Sequence, residues 1–81
     1  MEAIFSDEFS RQKQKIRDSG TLRKLQKAVE SILANPEKGK WLSRELAGKK
    51  SIRIKPFRLI FEPKENSIIF HTFEHRGKVY R

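Results

Sequence analysis

The sequence predicts an α+β domain of order β-α-α-β-β-β, with an N-terminal helical hairpin packed on a small antiparallel sheet. Two observations carry this. Apolar residues recur with a 3.6-residue period in the first half, and the period becomes two from Ser51 onward. Turn-forming residues at Asp18-Ser19-Gly20, Asn35-Pro36, Pro56 and Lys64-Glu65-Asn66 separate the periodic segments. At 81 residues the chain is read as a single domain, 1–81, with a modest core.

Each element has its own warrant. Glu2 to Phe5 suits a short strand. Ser6 suits an N-cap, with Asp7 and Glu8 at the positive end of a helix dipole. Phe5, Phe9 and Ile16 then share one face of a first helix, which Asp18-Ser19-Gly20 breaks. Leu22, Leu25, Val29, Ile32 and Leu33 line one face of a second helix, with Ala28 beside them. That helix ends at Asn35, because Pro36 disfavours helical geometry in the residue before it. Gly39 and Gly48 mark turns, and Trp41, Leu42 and Leu46 are expected to pin the connection to the core. Ile52 and Ile54 alternate with Arg53 and Lys55 on one strand. Phe57, Leu59 and Phe61 alternate with Arg58, Ile60 and Glu62 on the next. Ser67 to Phe73 is apolar on both faces and is expected to be a central strand.

The formal charge of +9 is unevenly spread: residues 49–81 carry +6 and residues 1–48 carry +3. The β-rich half is the basic half, which favours a polyanionic partner such as nucleic acid, an anionic membrane surface or an acidic protein. There is no cysteine, so no disulfide and no thiolate metal site. No apolar run has the length of a signal peptide or a membrane span, and the expected location is the cytoplasm.

Arg53 and Lys55, two apart on a strand, share a face, and Arg58 follows just past the Pro56 turn. A lone pair of this kind is ordinarily a solvated strand face. Three converging cations cost energy unless an anion such as phosphate neutralises them. His75, Arg76 and Tyr80 form a second group near the C-terminus. Histidine moves protons near neutral pH, arginine grips phosphate, and tyrosine stacks on a base or donates a proton. The same residues also suit a plainer role, with Tyr80 packing the terminus and His75 ending a strand. His71 and His75, four apart on a strand, lie about 13 Å apart, too far for one metal ion. Glu74 neighbours His75, but adjacent strand residues point to opposite faces. There is no Gly-rich phosphate loop, nucleophile elbow or pair of carboxylates on a common site. No cofactor is expected.

The segment from Leu46 to Phe61, with Leu46-Ala47-Gly48 followed by a basic strand and then Phe57-Arg58-Leu59-Ile60-Phe61, resembles the middle of RelE/ParE-superfamily toxins. His75-Arg76-Gly77-Lys78-Val79-Tyr80 resembles their C-terminal ending, and the helix pair and length fit as well. The resemblance implies the toxin of a toxin–antitoxin pair. RelE-type members cut mRNA in the ribosomal A site without metal, using the substrate's own 2′-hydroxyl as nucleophile. It places Arg53 and Lys55 on the basic strand or its turn, Arg58 on the next strand, and Arg76 and Tyr80 at the C-terminal pair. His75 or Lys55 would serve as base or proton shuttle. Lys49, Lys50, Lys78 and Arg81 would add RNA contacts. The implied partners are the ribosome, mRNA and an acidic or amphipathic antitoxin, with a toxin–antitoxin heterotetramer among the expected assemblies. The alternatives are a ParE-like inhibitor of DNA gyrase and a non-catalytic RNA-binding module.

Overall fold

A computed structural model describes residues 1–75. In chain order the elements are β1 (Glu2–Phe5), α1 (Asp7–Gln14), α2 (Ser19–Ala34), β2 (Lys40–Trp41), a 3₁₀ turn (Arg44–Leu46), β3 (Lys50–Ile54), β4 (Phe57–Pro63) and β5 (Ser67–His75). The strands form one five-stranded sheet in the order β1-β5-β4-β3-β2. The class is α+β as expected, but the sheet is mixed and not purely antiparallel. β1 runs parallel to β5, while β2 to β5 pair antiparallel in sequence. Parallel pairing requires a long crossover, and here everything between Phe5 and Ser67 supplies it. The extra strand β2 has only two residues, too few for any periodic signal.

The Ser6 hydroxyl starts α1 and also ties it to the sheet. Its oxygen accepts from the Phe9 N–H at 3.0 Å and it donates to the His71 carbonyl at 2.7 Å. Phe5 ends β1, as the strand reading of Glu2 to Phe5 has it, and stacks between Phe9 and Phe70, each ring centroid 5.3 Å away. α1 ends at Gln14, earlier than Asp18-Ser19-Gly20 implied. Those residues start the next helix: the Asp18 carboxylate accepts from the N–H and hydroxyl of Thr21 at 2.8 and 2.7 Å. α2 buries Leu25 and Ile32 and stops at Asn35.

The core consists of Phe9, Leu25, Ile32, Leu59, Phe61, Ile68, Phe70 and Phe73. Phe57 stacks on Phe73 at 4.5 Å. Between β4 and β5 the register slips. Ile60 pairs with Thr72, the next residue Phe61 pairs with Phe70, and His71 is the extra residue of a β-bulge. His71 Nε2 lies 2.9 Å from one oxygen of Glu62, and Lys64 lies 2.9 Å from the other.

The connection after α2 is not pinned by Trp41, which is 65% exposed. Lys50 does that work. It is buried, donates to the Glu37 carbonyl at 2.8 Å, and sits 4.8 Å from the Trp41 ring centroid. Gly39 lets the same loop close, with φ at +90° and so little room that an added Cβ would lie 2.9 Å from the Ser51 carbonyl oxygen.

Three stability outcomes follow from these contacts. Ser6→Ala removes a cap and a helix-to-sheet bond, and should cost about 1–2 kcal/mol in denaturant titration. Gly39→Ala combines a left-handed backbone with a clash and should cost more than Gly48→Ala, where φ is +88° but nothing lies within 4 Å of the new Cβ. Hydrogen bonds from Lys64 and then His71 hold the Glu62 carboxyl below its ordinary 4.5. A lowered carboxyl contributes stability above its unfolded-state value and loses it as pH falls through the folded one. The stability gap between wild type and Glu62→Gln, measured by denaturant midpoint, should therefore shrink steadily as pH is lowered below about 4.5.

Candidate nucleic-acid interface

The sheet has two faces with different chemistry. Leu59 and Phe61 turn toward the helices and belong to the core. Arg58 and Ile60 occupy the positions between Phe57, Leu59 and Phe61 and belong to the other face. Arg53 on β3 is directly opposite Arg58 on β4. Such opposed residues have Cα atoms only about 4.5–5.5 Å apart, so two guanidinium groups are forced onto one small patch. Arg53 is exposed and Arg58 half-buried.

Beside Arg58 lies a cavity of about 390 Å³, bordered by Lys49, His71, Thr72, Glu74 and Glu8, with Leu46 and Ile60 as apolar wall. Ile60 is 4% exposed yet lies outside the core cluster, so this face has an apolar floor of its own. Glu74 is the register partner of Arg58 on the other flank, opposite to Arg53. The Thr72 hydroxyl donates to the Glu74 carboxylate at 3.2 Å, which keeps the two side chains on the same face. The patch therefore contains two arginines, a lysine at its rim and a glutamate at the register position across from Arg58. It can grip a phosphodiester and accept a proton beside it.

The other expected site residues fall as follows. Lys55 lies in the exposed turn between β3 and β4. Lys49 borders the cavity. Lys50, expected among the RNA contacts, is buried on the opposite side of β3, with its ammonium donating to backbone carbonyls of the loop after α2. It is a structural lysine. His75 does not join the arginines. It is the register partner of Phe57, shares the parity of Phe73, and sets its ring edge-on to Phe57 at 5.4 Å. That places it beside a separate cavity of about 550 Å³ on the helical side, with Gln12, Lys15 and Asp18. Arg76, Lys78, Tyr80 and Arg81 lie outside the described residues. Among the described residues no three His, Asp or Glu side chains are grouped to hold a metal ion, and no helix is long and apolar enough to cross a membrane.

Glu74 is the residue that sequence reasoning missed. Counting a regular hairpin back from the turn at residues 64–66 sets Phe73, not Glu74, across from Arg58. The bulge at His71 shifts the count by one. A strand with apolar residues on both faces was the available signal for that slip.

Solved structures of similar fold cover nearly the whole chain. A YoeB/ParE toxin from Agrobacterium tumefaciens superposes with a TM-score of 0.81 at 13% identity, covering 93% of this chain and 98% of that one. The heterotetrameric YoeB-YefM toxin–antitoxin complex of Staphylococcus aureus gives 0.80 at 21% identity, covering 91% and 94%. The RelBE2 toxin–antitoxin complex of Mycobacterium tuberculosis gives 0.72 at 27% identity, covering 93% and 96%. No curated protein sequence matches the chain. The family model described as the ParE toxin of the type II toxin–antitoxin system parDE matches residues 3–80, and the chain belongs to that toxin family.

Proposed function

We propose that this toxin is a ribosome-dependent endoribonuclease that cuts translated mRNA by attack of a substrate 2′-hydroxyl on the adjacent phosphate. The observation that carries this reading is the Arg53–Arg58 pair facing away from the helices beside a cavity that also holds Lys49 and Glu74. Cleavage by this route needs cations around a phosphorane that gains negative charge, and a group nearby to take a proton. A surface that only bound RNA would need the cations but no carboxylate among them. Arg53 and Arg58 would hold the phosphate and stabilise the transition state. Lys49 would meet the RNA backbone, and Lys55 would reach it from the turn. By resemblance to RelE-type toxins, Arg76 and Tyr80 would complete the site, with Lys78 and Arg81 as further RNA contacts.

The partner would be an acidic or amphipathic antitoxin. The Staphylococcus aureus relative assembles as a toxin–antitoxin heterotetramer, and a similar assembly is proposed here. The exposed Ile4 and Phe5, 41% and 47% accessible, offer apolar surface for part of it.

The match to a ParE model favours a second reading, inhibition of DNA gyrase with mRNA left intact. One experiment separates the two. Primer extension on mRNA from cells expressing the toxin alone should show discrete cuts inside translated codons. Arg58→Ala should lower cutting by roughly 10²-fold, the usual cost of one transition-state donor. Growth arrest with intact transcripts and blocked supercoiling would replace this reading with the gyrase one.

A further inference from the structure

Resting on the nuclease reading, we infer that the Glu74 carboxylate is the base that takes the proton from the attacking 2′-hydroxyl. Three placements lead to it. Glu74 is directly across from Arg58, so a phosphate held by that guanidinium brings its neighbouring ribose to the carboxylate. Glu74 borders the cavity of Arg58 and Lys49, and also that of His75. Its orientation is fixed by the Thr72 hydroxyl at 3.2 Å, which leaves acceptor positions on both carboxylate oxygens, since each can take more than one hydrogen bond.

The other described proton acceptors are worse placed. His71 lines the cavity but gives its Nε2 to Glu62 at 2.9 Å. His75 belongs to the opposite face with Phe57. Lys55 projects from the exposed turn. Glu8 is exposed in the first turn of α1 and has no register relation to either arginine.

The step balances within the substrate. The 2′-hydroxyl proton passes to a Glu74 oxygen as the 2′-oxygen bonds to phosphorus. The bond from phosphorus to the 5′-oxygen breaks, and the departing oxygen keeps the electron pair and takes a proton from water. The products are a 2′,3′-cyclic phosphate and a 5′-hydroxyl, and Glu74 returns its proton to solvent. Arg58 holds the phosphate in this scheme.

The test is single-turnover cleavage of mRNA on programmed ribosomes with a vacant A site, using the full chain freed from its antitoxin. Glu74→Gln preserves shape and the bond to Thr72 but cannot take the proton. Its rate at saturating toxin should fall by about 10²-fold or more, with half-saturation changed by less than about threefold. Glu74→Asp keeps the carboxylate and should recover at least about tenfold of that loss. A Glu74→Gln rate at saturation equal to wild type overturns the assignment. So does a defect confined to half-saturation or to melting temperature, since that is what a mere counter-ion of Arg58 would show. A wild-type protein that leaves mRNA uncut removes the nuclease reading itself, and no substitution is needed to see it.

Discussion

The one-residue slip at His71 governs both faces of the sheet. Phe70 and Phe73 are three apart, an interval that in a regular strand sends side chains to opposite sides. Both belong to the same buried core, at 0% and 3% exposure. Only an extra residue between them allows this. The bulge thus gives the core two of its aromatic rings from one strand. By the same shift it carries Glu74 to the polar face opposite Arg58 and leaves His75 on the helical side. A core requirement and a site requirement are met by a single irregularity. The bulge is secured locally: the His71 carbonyl accepts from the Ser6 hydroxyl, and the His71 ring donates to the Glu62 carboxylate. The start of α1 and the centre of the site are therefore held by one residue.

The polar face carries an electrostatic cost that the fold does not relieve by separating its charges. Opposed like charges on neighbouring strands repel. Arg53 and Arg58 are kept opposed, with Glu74 on the far flank of Arg58, so the arrangement across three strands is cation, cation, anion. A phosphate bound between the two guanidinium groups would relieve their repulsion. The short turn at Lys55-Pro56 keeps the two strands in register and hence keeps the arginines together. The buried Ile60 beneath the cavity lowers the local dielectric response, which strengthens any anion contact made there.

The regular parts of this architecture were legible in the sequence, and the irregular parts were not. The periodic residues of α2, the alternation of β3 and β4, and the interior position of β5 follow from spacing alone. The Asp18 cap was misassigned because the same short polar residue that stops one helix can start another. β2 was invisible at two residues. Lys50 looked like one more surface cation, yet it is buried because the loop after α2 leaves two carbonyls that need a donor. No local pattern records where a distant carbonyl will fall. Within the candidate patch, the nearness of Arg53 and Arg58 followed from parity and one short turn, whereas the position of Glu74 depended on a register that a bulge had altered.

This difference in legibility has a chemical consequence. Between the nuclease and gyrase readings, a basic sheet face alone does not discriminate, because cations suit either partner. On the nuclease reading a carboxylate across from the arginine proposed to hold phosphate would discriminate, because cleavage uses a base and binding alone does not. The proposed acceptor, Glu74, has its position set by backbone register and not by sequence spacing. On the nuclease reading, the bulge at His71 is what brings a carboxylate across from Arg58.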